Sequence, residues 1–303
     1  MKTLNFENKV AIVTGAGTGL GRAHAMALAA RGVKVVVNDL GGARDGTGAS
    51  QTAAMQVADE ITKLGGEAIA NGADVTKYDQ VEAMVKGTVE RWGRIDILVN
   101  NAGILRDKTF FKVSLEDFKK VIDVHLMGTV NCTKAVWPYM REQAYGRVVV
   151  TSSSSGLYGN FGQANYGSAK LGVVGLMNTL ELEGAKYNIK VNALAPVAAT
   201  RMTEDLMDES LLSHLDPAKV SAAVVFLASE DAPTGTTLCA GAGCFSVSRI
   251  METEGIYVGE NPEAEDILAS WDRITDDQSQ RPLTVAGDQS GKFLKKSAEM
   301  RPS

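Results

Sequence analysis

Short runs of β-branched and aliphatic residues, each followed by a longer helical stretch, set the strongest limit on what this chain can fold into. Nearly all of the six runs lack an alternation of apolar and polar residues. Strands of this kind are buried on both faces, as in a parallel sheet covered by helices. The strands are predicted at 10–14, 33–39, 67–74, 95–100, 147–152 and 189–195, with a further strand near 236–240. The sequence therefore predicts an α/β fold with a doubly wound parallel sheet.

Helix start and stop signals lie between these strands. Residues 21–30 form an amphipathic stretch that Gly32 ends. Ser114, followed by acidic residues, resembles the start of a capping box and begins a long helix predicted to run to about Arg141. Asp216 precedes a proline and begins another helix. The chain thus supplies the helices that a parallel sheet requires.

Two segments lie outside this minimal plan. Residues 41–50 hold four glycines between the second strand and its helix, and we expect them to form a mobile flap. Residues 246–303 are more polar, with loops predicted at 276–278 and 287–291. We predict one Rossmann-type catalytic domain over 1–245 and a C-terminal extension over 246–303 packed on that same domain, with disorder predicted over 289–303.

Composition limits the partners and the compartment. The chain carries 31 basic and 36 acidic residues, for a net charge of −5, and no block of like charge reaches five residues. We therefore expect no nucleic-acid partner. Three cysteines without paired spacing indicate reduced thiols, and the N-terminal residues lack an apolar stretch long enough for a leader or a membrane span. These features predict a cytoplasmic protein with no membrane contact and no metal site.

A glycine-rich turn, Thr-Gly-Ala-Gly-Thr-Gly-Leu-Gly at 14–21, joins the first strand to the first helix. Gly15 permits the tight turn, Gly19 lets the backbone approach a pyrophosphate, and Gly21 allows close contact between helix and strand. The alternative interpretation is a turn of permissive glycines that binds no ligand. We assign the dinucleotide to Gly15, Thr18, Gly19, Leu20 and Gly21.

Asp39 ends the second strand, where a carboxylate can accept both hydroxyls of an adenosine ribose. The same charge would repel a 2′-phosphate, and neither Ala16 nor Leu40 supplies a compensating cation. NAD is therefore favoured over NADP. Asp39 could instead be an acidic cap for the glycine-rich loop that follows it.

The catalytic candidates are Ser153, Tyr166 and Lys170. Oxidation of an alcohol needs a base, and a free phenol, with a pKa of about 10, is too weakly acidic to be ionised near neutrality. On a helix, Lys170 lies one turn beyond Tyr166, so we expect its ammonium to lower the pKa of the phenol. Ser153, at the end of the fifth strand, would bind the carbinol oxygen. A solvent-exposed helical pair is the alternative for Tyr166 and Lys170.

These motifs together resemble the short-chain dehydrogenase/reductase family over residues 5–250. The resemblance rests on the glycine turn, Asp74-Val75, the Asn-Asn-Ala-Gly string at 100–103, and the Ser153, Tyr166 and Lys170 set. Longer strings at 36–42, 103–107 and 158–166 resemble the (3R)-hydroxyacyl-CoA dehydrogenase domain of peroxisomal multifunctional β-oxidation enzymes.

The resemblance carries its own expectations. It implies an NAD-dependent enzyme that oxidises a (3R)-3-hydroxyacyl-CoA to the 3-ketoacyl-CoA, and a homodimer or homotetramer. A 17β-hydroxysteroid or sterol side-chain dehydrogenase is the first alternative, and a non-catalytic nucleotide-binding scaffold is the second. The further cofactor contacts it implies are Asp74, Val75, Asn101, Ala102, Gly103, Ala198, Ala199, Thr200 and Arg201.

The chain departs from the family pattern at His125, which stands where most members have an asparagine. We read it either as a substitute on a proton path or as a packed imidazole. Residues 201–215 are the candidate substrate lid. Arg106, Lys108 and Arg201 are candidates for contacts with coenzyme A phosphates, against the alternative that each is an ordinary solvated charge.

Overall fold

The computed structural model describes residues 3–198 and 215–300. Its main sheet has eight strands in the order β3-β2-β1-β4-β5-β6-β7-β8. Every pairing from β3 to β7 is parallel. The strands are β1 (Val10–Thr14), β2 (Lys34–Asn38), β3 (Ala68–Asn71), β4 (Ile97–Asn100), β5 (Gly146–Thr151), β6 (Ile189–Val197), β7 (Thr237–Gly241) and β8 (Cys244–Ser248). The predicted α/β fold is confirmed, and the strand order reverses between β1 and β4, the position where such sheets bind ligands.

Helices cover both faces of this sheet. They are α1 (Gly19–Ala29), α2 (Thr52–Lys63), α3 (Tyr78–Trp92), α4 (Leu115–Ile122), α5 (Gly128–Glu142), α6 (Ser154–Tyr158), α7 (Ala164–Gly184) and α8 (Pro217–Leu227). One core cluster joins α1, α2 and α8 to the sheet, and the other joins α3, α5 and α7 to it. Neighbouring strand residues such as Ile12 and Val13 belong to opposite clusters, which is why consecutive residues of β1 are apolar.

The long helix predicted from Ser114 is present, but it is not uniform. The Ser114 hydroxyl accepts a hydrogen bond from the Asp117 amide, so the predicted cap forms. A π-helical turn over Asp123–Met127 then separates α4 from α5. Such turns are frequently found at functional sites. This one carries the buried His125.

The flap, residues 41–50, is a folded loop between β2 and α2. Ser50 N–H donates to the Leu40 carbonyl at 2.8 Å, and Ala43 N–H donates to the Thr47 carbonyl at 2.7 Å. Gly41 has a φ of +75° and lies so close to Ser50 that a side chain there would clash with the Ser50 carbonyl. The glycines of the flap therefore serve a compact fold of the loop itself.

The chain divides into two compact units, Met1–Val247 and Ser248–Ser303. The second unit contains β9 (Met251–Glu252) paired antiparallel with β10 (Arg281–Pro282), together with α9 (Ala264–Ala269), α10 (Trp271–Ile274) and α11 (Ala286–Met300). The loop predicted at 287–291 is instead part of α11. The Asp288 carboxylate accepts N–H bonds from Thr284 and Val285, which caps the start of that helix and outweighs its two glycines.

Within residues 3–198 and 215–300, no helix combines the length and the apolar character needed to cross a bilayer.

Candidate active site

The glycine turn brings three backbone segments into close contact at the carboxyl end of β1. A Cβ atom on Gly15 would lie 2.8 Å from the Ala102 Cα, and one on Gly21 would lie 2.0 Å from the Gly15 carbonyl oxygen. Gly15 and Gly19 have φ values of +62° and +54°, a region that favours glycine. Gly19 also begins α1, so free N–H groups of the helix start lie at the turn.

Side-chain hydrogen bonds hold this turn against the end of β4. The Thr14 hydroxyl accepts N–H bonds from Asn101 and Ala102 at 3.0 and 3.1 Å. The Asn101 side-chain amide donates to the Thr14 and Gly15 carbonyls. Asn101, which the resemblance assigns to the cofactor, therefore also fixes the shape of the turn with its side-chain amide.

Asp39 joins the glycine turn to the flap. Its carboxylate accepts N–H bonds from Gly17 at 2.7 Å and from Gly41 at 2.6 Å, one on each oxygen. The loop-capping contact considered as the alternative is thus present. A carboxylate has about four acceptor positions, so two bonds leave capacity for ribose hydroxyls.

A cleft of about 540 Å³ opens beside these groups. Among its lining are all the predicted cofactor residues from the turn, from the residue after β2 and from the 74–75 and 101–103 segments: Gly15, Thr18, Gly19, Leu20, Gly21, Asp39, Asp74, Val75, Asn101, Ala102 and Gly103. Ser153, Tyr166, Lys170 and Ala198 are not among the lining residues. The residues of this cleft fit a dinucleotide, because the N–H groups at the start of α1 can bind phosphates and the Asp39 carboxylate can accept ribose hydroxyls along the same lining.

Sequence reasoning missed part of this lining. Arg44 of the flap, Lys77 before α3 and Lys120 of α4 all line the cleft. The glycines of the flap signalled a special loop, but nothing in the sequence showed that this loop and α4 meet at the cleft. With Lys119 these three residues make four cations in the lining, which equal in number its four carboxylates at Asp39, Asp74, Glu116 and Asp123.

Ser153 lies at the end of β5, and Tyr166 and Lys170 lie on the first turns of α7 beside it. The hydroxyl of Ser153 hydrogen-bonds the phenol of Tyr166. The Lys170 Nζ atom lies 5.6 Å from the centre of the Tyr166 ring and donates to the Thr151 carbonyl at 2.6 Å. The exposed-pair alternative is therefore wrong for Lys170, which is 4% exposed.

The electrostatics of this group differ from the expectation. Burial raises the pKa of Tyr166, the Ser153 hydrogen bond opposes that rise, and the Asp107 charge adds to it. Burial lowers the pKa of Lys170 to about 7, so its ammonium is a weaker source of positive charge than its usual pKa implies. The polypeptide alone does not lower the pKa of the phenol.

His125 packs edge-on against the Tyr166 ring, with ring centres 5.1 Å apart. Its Nε2 atom lies 3.0 Å from the Ile104 amide nitrogen and 2.7 Å from the Ile104 carbonyl oxygen. Burial, with the Lys170 charge, lowers its pKa to about 3, so the imidazole is neutral. Its buried Nδ1 atom has no hydrogen-bond partner among the described residues. This is a packed imidazole, and its part in a proton path stays a prediction.

Two of the residues predicted to contact coenzyme A phosphates form ion pairs within the protein. Arg106 and Lys108 both pair with Asp117, at 2.5 and 3.1 Å. Their charges are therefore compensated by a carboxylate.

Ala198 is buried at the end of β6. Residues 199–214 lie outside the described residues, so Ala199, Thr200, Arg201 and nearly all of the candidate lid at 201–215 have no structural account.

Comparison with known proteins agrees with this geometry. A short-chain type dehydrogenase/reductase of Mycobacterium tuberculosis is 49% identical over 271 residues, covering 89% of this chain and 95% of that protein. The peroxisomal multifunctional enzyme type 2 of Mus musculus is 45% identical over 298 residues, which are 95% of this chain and 40% of the enzyme. The chain thus spans less than half the length of that relative.

Solved structures show the same likeness. The full-length peroxisomal multifunctional enzyme type 2 of Drosophila melanogaster superposes with a TM-score of 0.83 at 34% identity, covering 98% of this chain and 51% of that one. A 7α-hydroxysteroid dehydrogenase in complex with NADH superposes with a TM-score of 0.72 at 28% identity, covering 80% and 98%. Residues 9–210 match the short chain dehydrogenase family. The chain belongs to that family of oxidoreductases.

Proposed function

We propose that this protein is an NAD-dependent dehydrogenase that oxidises (3R)-3-hydroxyacyl-CoA to 3-ketoacyl-CoA. The observation that carries the proposal is the hydrogen bond between Ser153 and Tyr166, beside a buried Lys170 and on the same sheet edge as the glycine turn. A hydroxyl bonded to a phenol, with an amine 5.6 Å from the centre of the phenol ring, forms a set able to take the proton of a secondary alcohol.

In this mechanism Ser153 donates a hydrogen bond to the carbinol oxygen and sets its direction. Tyr166, as phenolate, takes the hydroxyl proton while the hydride leaves the carbinol carbon. NAD, when bound, accepts that hydride and brings a positive charge that favours ionisation of the phenol. Lys170 holds its place by donating to the Thr151 carbonyl. Because burial raises the pKa of Tyr166, we expect the rate of oxidation to rise with pH above neutrality.

The preference for NAD rests on Asp39. Its two carboxylate oxygens are already oriented by Gly17 and Gly41, which supports recognition of a ribose diol and repulsion of a 2′-phosphate. The cations Arg44, Lys77 and Lys120 line the same cleft and could work against that repulsion. Parallel titrations with NAD and NADP measure which effect is larger, and we expect NAD to bind more tightly.

The substrate class rests on the strings at 158–166 and 103–107 and on the multifunctional-enzyme relatives. The test follows absorbance of NADH while the 3R and 3S isomers of a hydroxyacyl-CoA are offered separately. NADH formation from the 3R isomer alone supports the proposal. If neither isomer yields NADH while the nucleotide still binds, the proposed substrate class is wrong and the family assignment stands.

The likeness to a hydroxysteroid dehydrogenase favours one second candidate, a steroid or sterol alcohol. Turnover of 17β-hydroxysteroids in the same NAD-coupled assay, without turnover of acyl-CoA, would make it the better description. For assembly we propose a homodimer or homotetramer, which light scattering on purified protein would measure. The free state of Cys132, Cys239 and Cys244 supports a reducing compartment such as the cytoplasm.

A further inference from the structure

The flap is tied to the rest of its unit through three consecutive backbone carbonyls. The Arg44 carbonyl accepts the Leu105 N–H at 3.0 Å, and the Asp45 carbonyl accepts Arg106 Nε at 2.9 Å. The Gly46 carbonyl accepts Lys120 Nζ at 3.2 Å. Arg44 and Gly46 also line the cleft. The flap therefore lines the cleft with some of its atoms. Its carbonyls are held by Leu105, Arg106 and Lys120, which we call the anchor.

Arg106 is the part of this anchor whose guanidinium bonds two partners at once. Its Nη1 atom lies 2.5 Å from the Asp117 carboxylate while its Nε atom bonds the flap. The side chain is only 19% exposed. The Asp117 carboxylate, with a pKa held at about 2 chiefly by Arg106 and then by Lys108, stays ionised. A planar guanidinium can make two such bonds in fixed directions, which a lysine cannot do.

The backbone of Arg106 leads to the catalytic helix. Its carbonyl accepts the Asn165 side-chain amide at 3.0 Å, and the Asn165 side-chain oxygen accepts the Tyr166 N–H at 2.8 Å. Asn165 is fully buried. Residue 106 thus contacts the flap with its side chain and the first turn of α7 with its main chain.

We propose that Arg106 is a positioning residue that holds the flap closed along the dinucleotide cleft and ties it to the helix that carries Tyr166. The inference rests on the proposed dinucleotide function and adds to it a residue that does not line the cleft. A flap already ordered loses little conformational entropy when a nucleotide binds. Release of the flap should therefore weaken nucleotide binding. The role replaces the coenzyme A phosphate contact that the sequence suggested for Arg106.

The test compares Arg106→Ala and Arg106→Lys with Lys108→Ala. Lys108 pairs with the same Asp117 carboxylate, but no described hydrogen bond joins it to the flap, so it is a matched loss of charge. We expect Arg106→Ala to raise the Kd for NADH about tenfold, equivalent to roughly 1.4 kcal/mol, with the kinetic change larger in the KM for NAD than in kcat. Arg106→Lys should give an intermediate Kd, and Lys108→Ala should leave the Kd for NADH at its wild-type value.

Amide hydrogen exchange over residues 41–50, measured without nucleotide, gives a second readout. Arg106→Ala should speed that exchange while exchange in β1 stays slow, which also shows that the fold is intact. Equal flap exchange in Arg106→Ala and Lys108→Ala overturns the inference. If the wild type binds no NADH, the proposed function fails, and the exchange comparison alone decides whether Arg106 ties the flap.

Discussion

Alanine at Gly103 is expected to damage catalysis by way of His125. Gly103 belongs to the 101–103 segment that lines the cleft, and its φ lies outside the left-handed region. The backbone therefore accepts alanine, and the effect of the substitution depends on space. A Cβ atom there would lie 2.3 Å from His125 Cε1 and 3.0 Å from His125 Nδ1.

The size of the effect follows from these distances. Carbon atoms in good contact are ~3.5 Å apart, so the imidazole or the 103 backbone must move by roughly 1 Å. The ring is 2% exposed and touches the Tyr166 ring edge-on, so it has no solvent into which to retreat. A displacement of ~1 Å in a reacting group lowers the rate by about 10²-fold. We expect Gly103→Ala to lower kcat by that order.

A double-mutant cycle tests whether Gly103→Ala acts through His125. kcat at saturating NAD and substrate is measured for Gly103→Ala, for His125→Ala and for the double variant. Gly103→Ala should lower kcat about 10²-fold when His125 is present, and much less in the His125→Ala background, where the imidazole ring is absent. Gly175→Ala is the matched control, because a Cβ there meets nothing within 4 Å in the same helix as Tyr166. An equal loss in both backgrounds would refute the clash with His125.

Three further predictions concern Asp39 and two buried bases. Asp39→Asn should improve use of NADP relative to NAD by about tenfold, since it removes roughly 1.4 kcal/mol of repulsion, and kcat/KM ratios with the two cofactors measure it. Burial lowers the pKa of Lys170 to about 7, so the unfolded state binds more protons than the folded state between pH 7 and about 10.5. Lys170 therefore makes the free energy of unfolding rise with pH across that range. Lys170→Met should show a smaller rise in Tm from pH 7 to 9 than the wild type. Burial lowers the pKa of His24 to about 3, so stability should fall as the pH drops below about 6.5, and His24→Gln should lessen that fall in acid denaturation; an unchanged acid midpoint would contradict it.

The parts of the fold and site that depend on local chemistry could be predicted from the sequence. Ile12 and Val13 face opposite sides of the sheet and are both apolar, so a buried parallel strand was readable at β1. The close approach at Gly15 and Gly21 follows from the turn itself. The meeting of Ser153 with Tyr166 follows from the helix that returns after β5.

The rest depends on contacts between distant segments. The π-helical turn that places His125 against Tyr166 leaves no mark in the periodicity of the long helix. The Arg106 contact with Asp45 joins residues 61 positions apart. At Gly287 and Gly291 the turn-forming composition suggested a loop, whereas the Asp288 cap and the tertiary bond from Lys292 to the Thr253 carbonyl support a helix.

The most direct test of the central claim is turnover by Tyr166→Phe, which removes one oxygen atom and keeps the ring that packs against His125. The assay follows NADH formation from a (3R)-hydroxyacyl-CoA, with NADH affinity measured on the same preparation. We predict that kcat falls by at least ~10²-fold while the Kd for NADH changes little. Turnover equal to that of the wild type would contradict the assignment of the phenol as the proton acceptor.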